Sequence, residues 1–122
     1  MFKIMQLNEC PRTPMPAGRG EQIKLIDTSL GTDKIDLHLN RLIPGGERGK
    51  AHHHSEADNI YIVRRGEGTL VVEGRTHVIR TDDVVYIPAG MRHSLANRSA
   101  EMLEIYEIYA PAGKRFDFVL DE

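Results

Sequence analysis

Cysteine, tryptophan and long apolar runs are what this 122-residue chain lacks most. Its single cysteine, Cys10, cannot close an internal disulfide, so the fold stands without such staples and suits a reducing compartment. No apolar stretch approaches the roughly 20 residues needed to cross a bilayer as a helix. The opening MFKIMQLNEC lacks the longer apolar core and small-residue cleavage site of a signal peptide, so a cytoplasmic location is expected. A formal net charge of −2 provides no basic field, which gives neither nucleic acid nor an anionic membrane electrostatic support as a partner. Helical periodicity is also missing beyond two turns. What remains is 40% hydrophobic and 28% charged residues, the balance of one small globular domain with a single core.

Turn signals recur every 8 to 12 residues between short β-rich runs. Residues 1–20 form an N-terminal arm, because CPRTPMPAGRG concentrates proline and glycine and resists helix. Residues 21–122 read as a single domain with a short C-terminal tail, in which Phe116 and Phe118 are free to pack on the barrel or on a partner subunit. A strand is expected around Ile23 to Asp27. The next, KIDLHLNRLIP, alternates Ile35, Leu37 and Leu39 with Asp36, His38 and Asn40, as a strand with one buried face does. NIYIVRR, TLVVEG, RTHVIR, DVVYIP, SLAN and MLEIYEIYAP supply further strands, with a hairpin turn near Gly74. So many short strands in one domain must close on themselves or form two packed sheets. Either solution leaves a concave interior.

Chemistry concentrates between Pro44 and Gly68, where three histidines and five glycines fall within 25 residues. His52 and His54 are two apart, so on an extended strand both rings leave one face, while His53 points the other way. His93 lies in a second such stretch, Asp82 to Asn97. His38 and His77 stand apart from this set. Three imidazoles suit iron, manganese, nickel, cobalt, copper or zinc rather than calcium or magnesium. They also leave positions open for water and substrate.

The two stretches together resemble the two motifs of the cupin superfamily, G-x5-H-x-H-x3,4-E-x6-G and G-x5-P-x-G-x2-H-x3-N. Gly46, His52, His54 and Gly66 fall on the first, and Pro88, Gly90, His93 and Asn97 on the second. Asp82 stands where the second motif opens with glycine, and Asn59 stands where the first carries its metal-binding glutamate. The resemblance covers roughly residues 20 to 110 and implies an all-β, double-stranded β-helix or jelly-roll barrel. It further implies a divalent metal on His52, His54 and His93, and a homodimer. Asn59 in the glutamate position would leave a neutral donor set, tuning the ion toward anionic chelates. Asp58 is the alternative, since a one-residue bulge would turn it inward. With Asn59 inward, Tyr61 and Val63 face the pocket, and Ile60 and Ile62 face away.

Tyr61 is then a candidate for a hydrogen bond to substrate. On the last strand, alternation puts Glu104 with Tyr106 on one face and Glu107 with Tyr109 on the other, and an inward carboxylate there is a candidate general base. Glu104 and Tyr61 are the catalytic candidates, and Arg48, before the histidines, is a candidate clamp for a substrate carboxylate. The expected function is that of a metal-dependent enzyme on a small oxygen-rich or carboxylate-bearing substrate, with dioxygenase-type chemistry ahead of decarboxylase or isomerase chemistry. A binding or sensing module without turnover is the alternative.

Overall fold

The computed structural model describes residues 2–122, and its elements are almost entirely β. The strands are β1 Arg12–Pro14, β2 Gly20–Ile26, β3 Asp36–Leu42, β4 His52–His53, β5 Asp58–Arg65 and β6 Glu67–Val72. They continue as β7 Arg75–Arg80, β8 Val84–Ile87, β9 His93–Ala96, β10 Leu103–Ala110 and β11 Val119–Leu120. Among the described residues only four single-turn 3-10 helices interrupt them, and no helix there is long and apolar enough to cross a membrane. One sheet has the order β1-β2-β3-β10-β5-β8 and the other β11-β4-β9-β6-β7, with every pairing antiparallel. This is the double-sheet jelly roll.

Local chemistry sets the turns. Between β6 and β7 the two-residue loop holds Glu73 at φ 48° and Gly74 at φ 78°, the pair of left-handed residues that a tight hairpin of matching twist needs. Gly66, between β5 and β6, sits at φ 87°, and a β-carbon there would lie 2.5 Å from the carbonyl oxygen of Met102. The arm is not merely appended. β1 pairs along β2, so Arg12–Pro14 forms the edge of the larger sheet.

The interior is divided along the barrel axis. At one end Leu42, Val63, Leu70, Leu95, Leu103 and Ile105 pack into an apolar core. Following the same strands toward the other end, side chains of the same parity become polar: Asn40 and His38 on β3, Asn59 on β5, His93 on β9, Glu107 and Tyr109 on β10. The expected burial of β3 therefore needs correction. His38 and Asn40 point inward and are buried, Leu37 is half-buried and Ile35 is exposed, while Leu39 is buried on the opposite face against Ile23. The physical reason is Glu107, which demands partners inside the barrel.

His38 and Glu107 are directly opposed across β3 and β10, and their side chains meet at 2.7 Å. The other nitrogen of His38 lies 2.7 Å from Asp36. Burial opposes charge on His38, but the two carboxylates outweigh it and raise the imidazole to about 9. Burial likewise pushes Glu107 up, yet the hydrogen bonds from His38, Asn59 and Asn40 prevail and hold it at about 2. The pair is thus ionic at neutral pH.

Two outcomes follow. Replacing Gly66 with alanine is expected to cost about 1–3 kcal/mol in denaturant unfolding, and an unchanged midpoint would contradict the strain argument. For His38, the folded value lies above the unfolded one near 6.5, so its contribution is complete below that pH and disappears as pH rises through about 9. A shift of this size corresponds to something on the order of 3 kcal/mol. The Tm gap between the parent and His38→Gln should accordingly be wide at pH 6 and close by pH 10; a gap independent of pH would refute the ionic pairing.

Candidate metal centre

β4 and β9 meet at a single register pair, His52 opposite His93. That contact brings the two distant stretches together, and His54 joins them from just beyond β4. Ligand atoms of His52, His54 and His93 all lie within 4.8 Å of one another. His54 and His93 are buried and His52 half-buried.

Each ring is held through its other nitrogen. His52 Nδ1 donates to the Lys50 carbonyl at 2.8 Å, His54 Nδ1 to that of Asp117 at 2.7 Å, and His93 Nδ1 to that of Met91 at 2.9 Å. A carbonyl only accepts, so the proton of each neutral ring must sit on Nδ1. Three Nε2 lone pairs are left on the shared side, that of His93 also accepting from Asn59 Nδ2 at 3.3 Å. Burial, reinforced by the neighbouring His93 and His54, lowers His52 to about 4, and burial also lowers His93. Both rings are therefore neutral and ready to ligate. His54 Nε2 is buried with no hydrogen-bond partner among the described residues, as a free ligand atom is. Among the described residues no carboxylate joins the group. The residues present fit a divalent transition metal.

The remaining histidines take other roles. His53 points out to Asp121 at 2.9 Å, and His77 is exposed on β7.

Asn59 is the inward residue of β5, fully buried, and its Nδ2 lies 3.3 Å from His93 Nε2. The same nitrogen donates to Glu107 at 3.0 Å, so the carboxylate fixes which way the amide turns, and Oδ1 is left without a partner. Asp58 faces away. Its oxygens accept from Ala89 N at 3.0 Å and from the Tyr86 hydroxyl at 3.1 Å, so it secures the β8 loop and does not reach the histidines. Tyr61 lines the cavity as its parity requires, and burial, then the charge of Glu107, raise its phenol well above the ordinary value.

Glu104 requires correction. It lies on the outer face of β10, bonded to Arg41 at 2.8 Å with Arg64 nearby at 3.8 Å, so it is a partner for surface arginines. The inward carboxylate is Glu107. Arg48 lines the cavity, with its guanidinium paired to Glu122 at 3.0 Å.

Phe116 and Phe118 take the first of their two expected places, on the barrel, whereas Arg19 escaped the sequence reading. The tail folds back over the histidines: β11 pairs with β4, Phe118 stacks on His52 with ring centres 4.0 Å apart, and Phe116 sits 4.8 Å from His54. Arg19, from the arm, lines the same cavity of about 450 Å3 as His52, Tyr61 and Glu107. The only sequence signal for the tail was its spaced aromatics, and for Arg19 there was none.

His54→Ala is expected to reduce Co2+ affinity at least about a hundredfold in calorimetric titration, and deletion of residues 117–122, which removes the carbonyl behind His54, about tenfold or more. Unchanged affinity in His54→Ala would dismantle the assignment.

A cupin domain family model matches residues 39–109. Among curated proteins, mannose-1-phosphate guanylyltransferase of Klebsiella pneumoniae is 28% identical over 82 residues, which is 67% of this chain and 17% of that protein. An uncharacterized protein of Methanocaldococcus jannaschii is 23% identical over 100 residues, covering 81% of this chain and 84% of that one. The polyketide cyclase RemF from Streptomyces resistomycificus superposes with a TM-score of 0.85 at 21% identity, over 100% of this chain and 87% of that one. A predicted oxalate decarboxylase from Thermotoga maritima gives 0.80 at 23% identity, over 89% and 99%. Such structural likeness concerns the fold. With the family match spanning more than half of the chain and both histidine-bearing stretches, the chain belongs to the cupin domain family.

Proposed function

We propose that the protein is an enzyme whose mononuclear three-histidine centre holds iron, manganese, nickel, cobalt, copper or zinc and acts on a small oxygen-rich or carboxylate-bearing molecule. The observation that carries this reading is the buried, unpartnered His54 Nε2, grouped with two further imidazoles and no carboxylate beside a cavity. When bound, the ion supplies polarisation of substrate oxygens or activation of dioxygen, and a neutral donor set leaves its double charge undiminished. Dioxygenase-type chemistry is favoured on that ground over decarboxylation or isomerisation. The likeness to a polyketide cyclase and a predicted oxalate decarboxylase supports chemistry on a small molecule.

The chain's own groups then act as follows. Tyr61 keeps its proton, because burial and Glu107 raise its phenol, and it donates a hydrogen bond to a substrate oxygen. Asn59 tunes the centre without adding negative charge, its amide held by Glu107. Phe118, stacked on His52, limits the access of water. The working unit is a homodimer, supported by the exposed apolar strip of Ile62, Val84 and Tyr86 on the outer face of β5 and β8.

Protein purified without added metal should carry about one equivalent of a transition ion. The iron form should consume oxygen with a diketone, a thiol or an aromatic acid. Tight metal with no turnover on any class would replace the enzyme by a binding module, and absence of metal, unaltered by His52→Ala, would remove both.

A further inference from the structure

Arg19 is a half-buried cation with no ion-pair partner among the described residues. Of the arginines, Arg12, Arg41, Arg48, Arg64, Arg80, Arg92 and Arg115 each pair with an acid. Arg65, Arg75 and Arg98 make no ion pair among the described residues but are exposed. Arg19 is the remaining case, and its guanidinium is bound only to backbone: Nε donates to the Glu47 carbonyl at 2.9 Å and Nη2 to that of Leu95 at 3.3 Å. Those bonds aim the group without neutralising it. Gly49 completes the seat, since a β-carbon there would lie 3.1 Å from Nη2 and 3.2 Å from Nη1. Burial disfavours the charge and lowers Arg19, against the pull of Tyr61 and Glu107.

Glu107, a carboxylate of this cavity, is already committed: it is bonded to His38, Asn40 and Asn59, with His38 shared between it and Asp36. Lys50 lines the same cavity and makes no ion pair among the described residues. Glu47 also lines the cavity but gives Arg19 only its backbone carbonyl, so the guanidinium stands at a fixed point of the cavity with no ion-pair partner among the described residues. A desolvated, preorganised guanidinium gains most from a carboxylate, which it can meet in a bidentate fork.

We infer that Arg19 is the specificity-determining anchor for a substrate carboxylate distinct from the oxygen atoms offered to the histidine centre. The substrate class is then a small bifunctional acid, with an enolisable or chelating oxygen pair at one end and a free carboxylate at the other. This rests on the metal-dependent reading only for the chelating end. The carboxylate end stands on Arg19 alone.

The test uses the full chain loaded with Co2+ and two probes alike in their diketone: 4,6-dioxoheptanoate, which carries a carboxylate, and neutral 2,4-heptanedione. Affinity is read from the visible cobalt spectrum. The parent should prefer the acid by about tenfold or more, Arg19→Gln should lose the preference while keeping its affinity for the neutral dione, and Arg19→Lys should recover part of it. A purely structural Arg19 would weaken both probes alike, and that result, or an absent or unaltered preference, would overturn the assignment. In a second arm, chelator-treated protein is titrated with the same acid while the 15N resonance of Arg19 Nε is followed. A shift that the neutral dione does not produce sustains the anchor even if cobalt is not taken up, in which case the metal reading fails by itself. No shift there, without cobalt uptake, overturns the anchor as well.

Discussion

Three hydrogen bonds from imidazole Nδ1 to backbone carbonyls are the constraint on which this molecule turns. Without them each ring could exchange tautomers or swing toward solvent, and three lone pairs would not face one point. Two of the carbonyls are local, from Lys50 and Met91, two residues before their histidines. The third comes from Asp117, 63 residues beyond His54. Two remote parts of the chain are therefore fixed by short-range geometry and one by the return of the tail.

Behind the histidines the negative charge is displaced rather than absent. Asn59 occupies the position next to His93, and the carboxylate stands one layer further back as Glu107, where it grips the amide of Asn59. Burying that charge demands compensation, which His38 supplies and Asp36 supports from the half-exposed rim. The polar half of the barrel is thus a chain of obligations running from surface to centre. The apolar half, built on Leu103, Ile105 and Val63, has only to exclude water.

Much of this was legible in the residues themselves. The His52 and His54 parity and the spacing to His93 were enough to point to the ligand set, and the run from Asn59 to Gly66 correctly turned Tyr61 and Val63 inward. What alternation alone could not decide was which half of a two-faced strand looks in. On β10 the choice between Glu104 and Glu107 depends on register against β3 and β5, which has an irregularity between Glu104 and Ile105. On β3 the usual rule of apolar inside misled, because His38 and Asn40 serve a buried carboxylate that lies 69 and 67 residues away. Arg19 was unreadable for a similar reason: an arginine between glycines in a proline-rich arm has no periodicity, and its meaning comes only from the carbonyls of Glu47 and Leu95.

The dependence of His54 on Asp117, and the stacking of Phe118 on His52, attach the tail to the imidazole cluster rather than to the apolar core. Fraying of this segment would release one ring and uncover another while Leu103, Ile105 and Val63 stay packed. The order of the site is thereby separable from the stability of the fold.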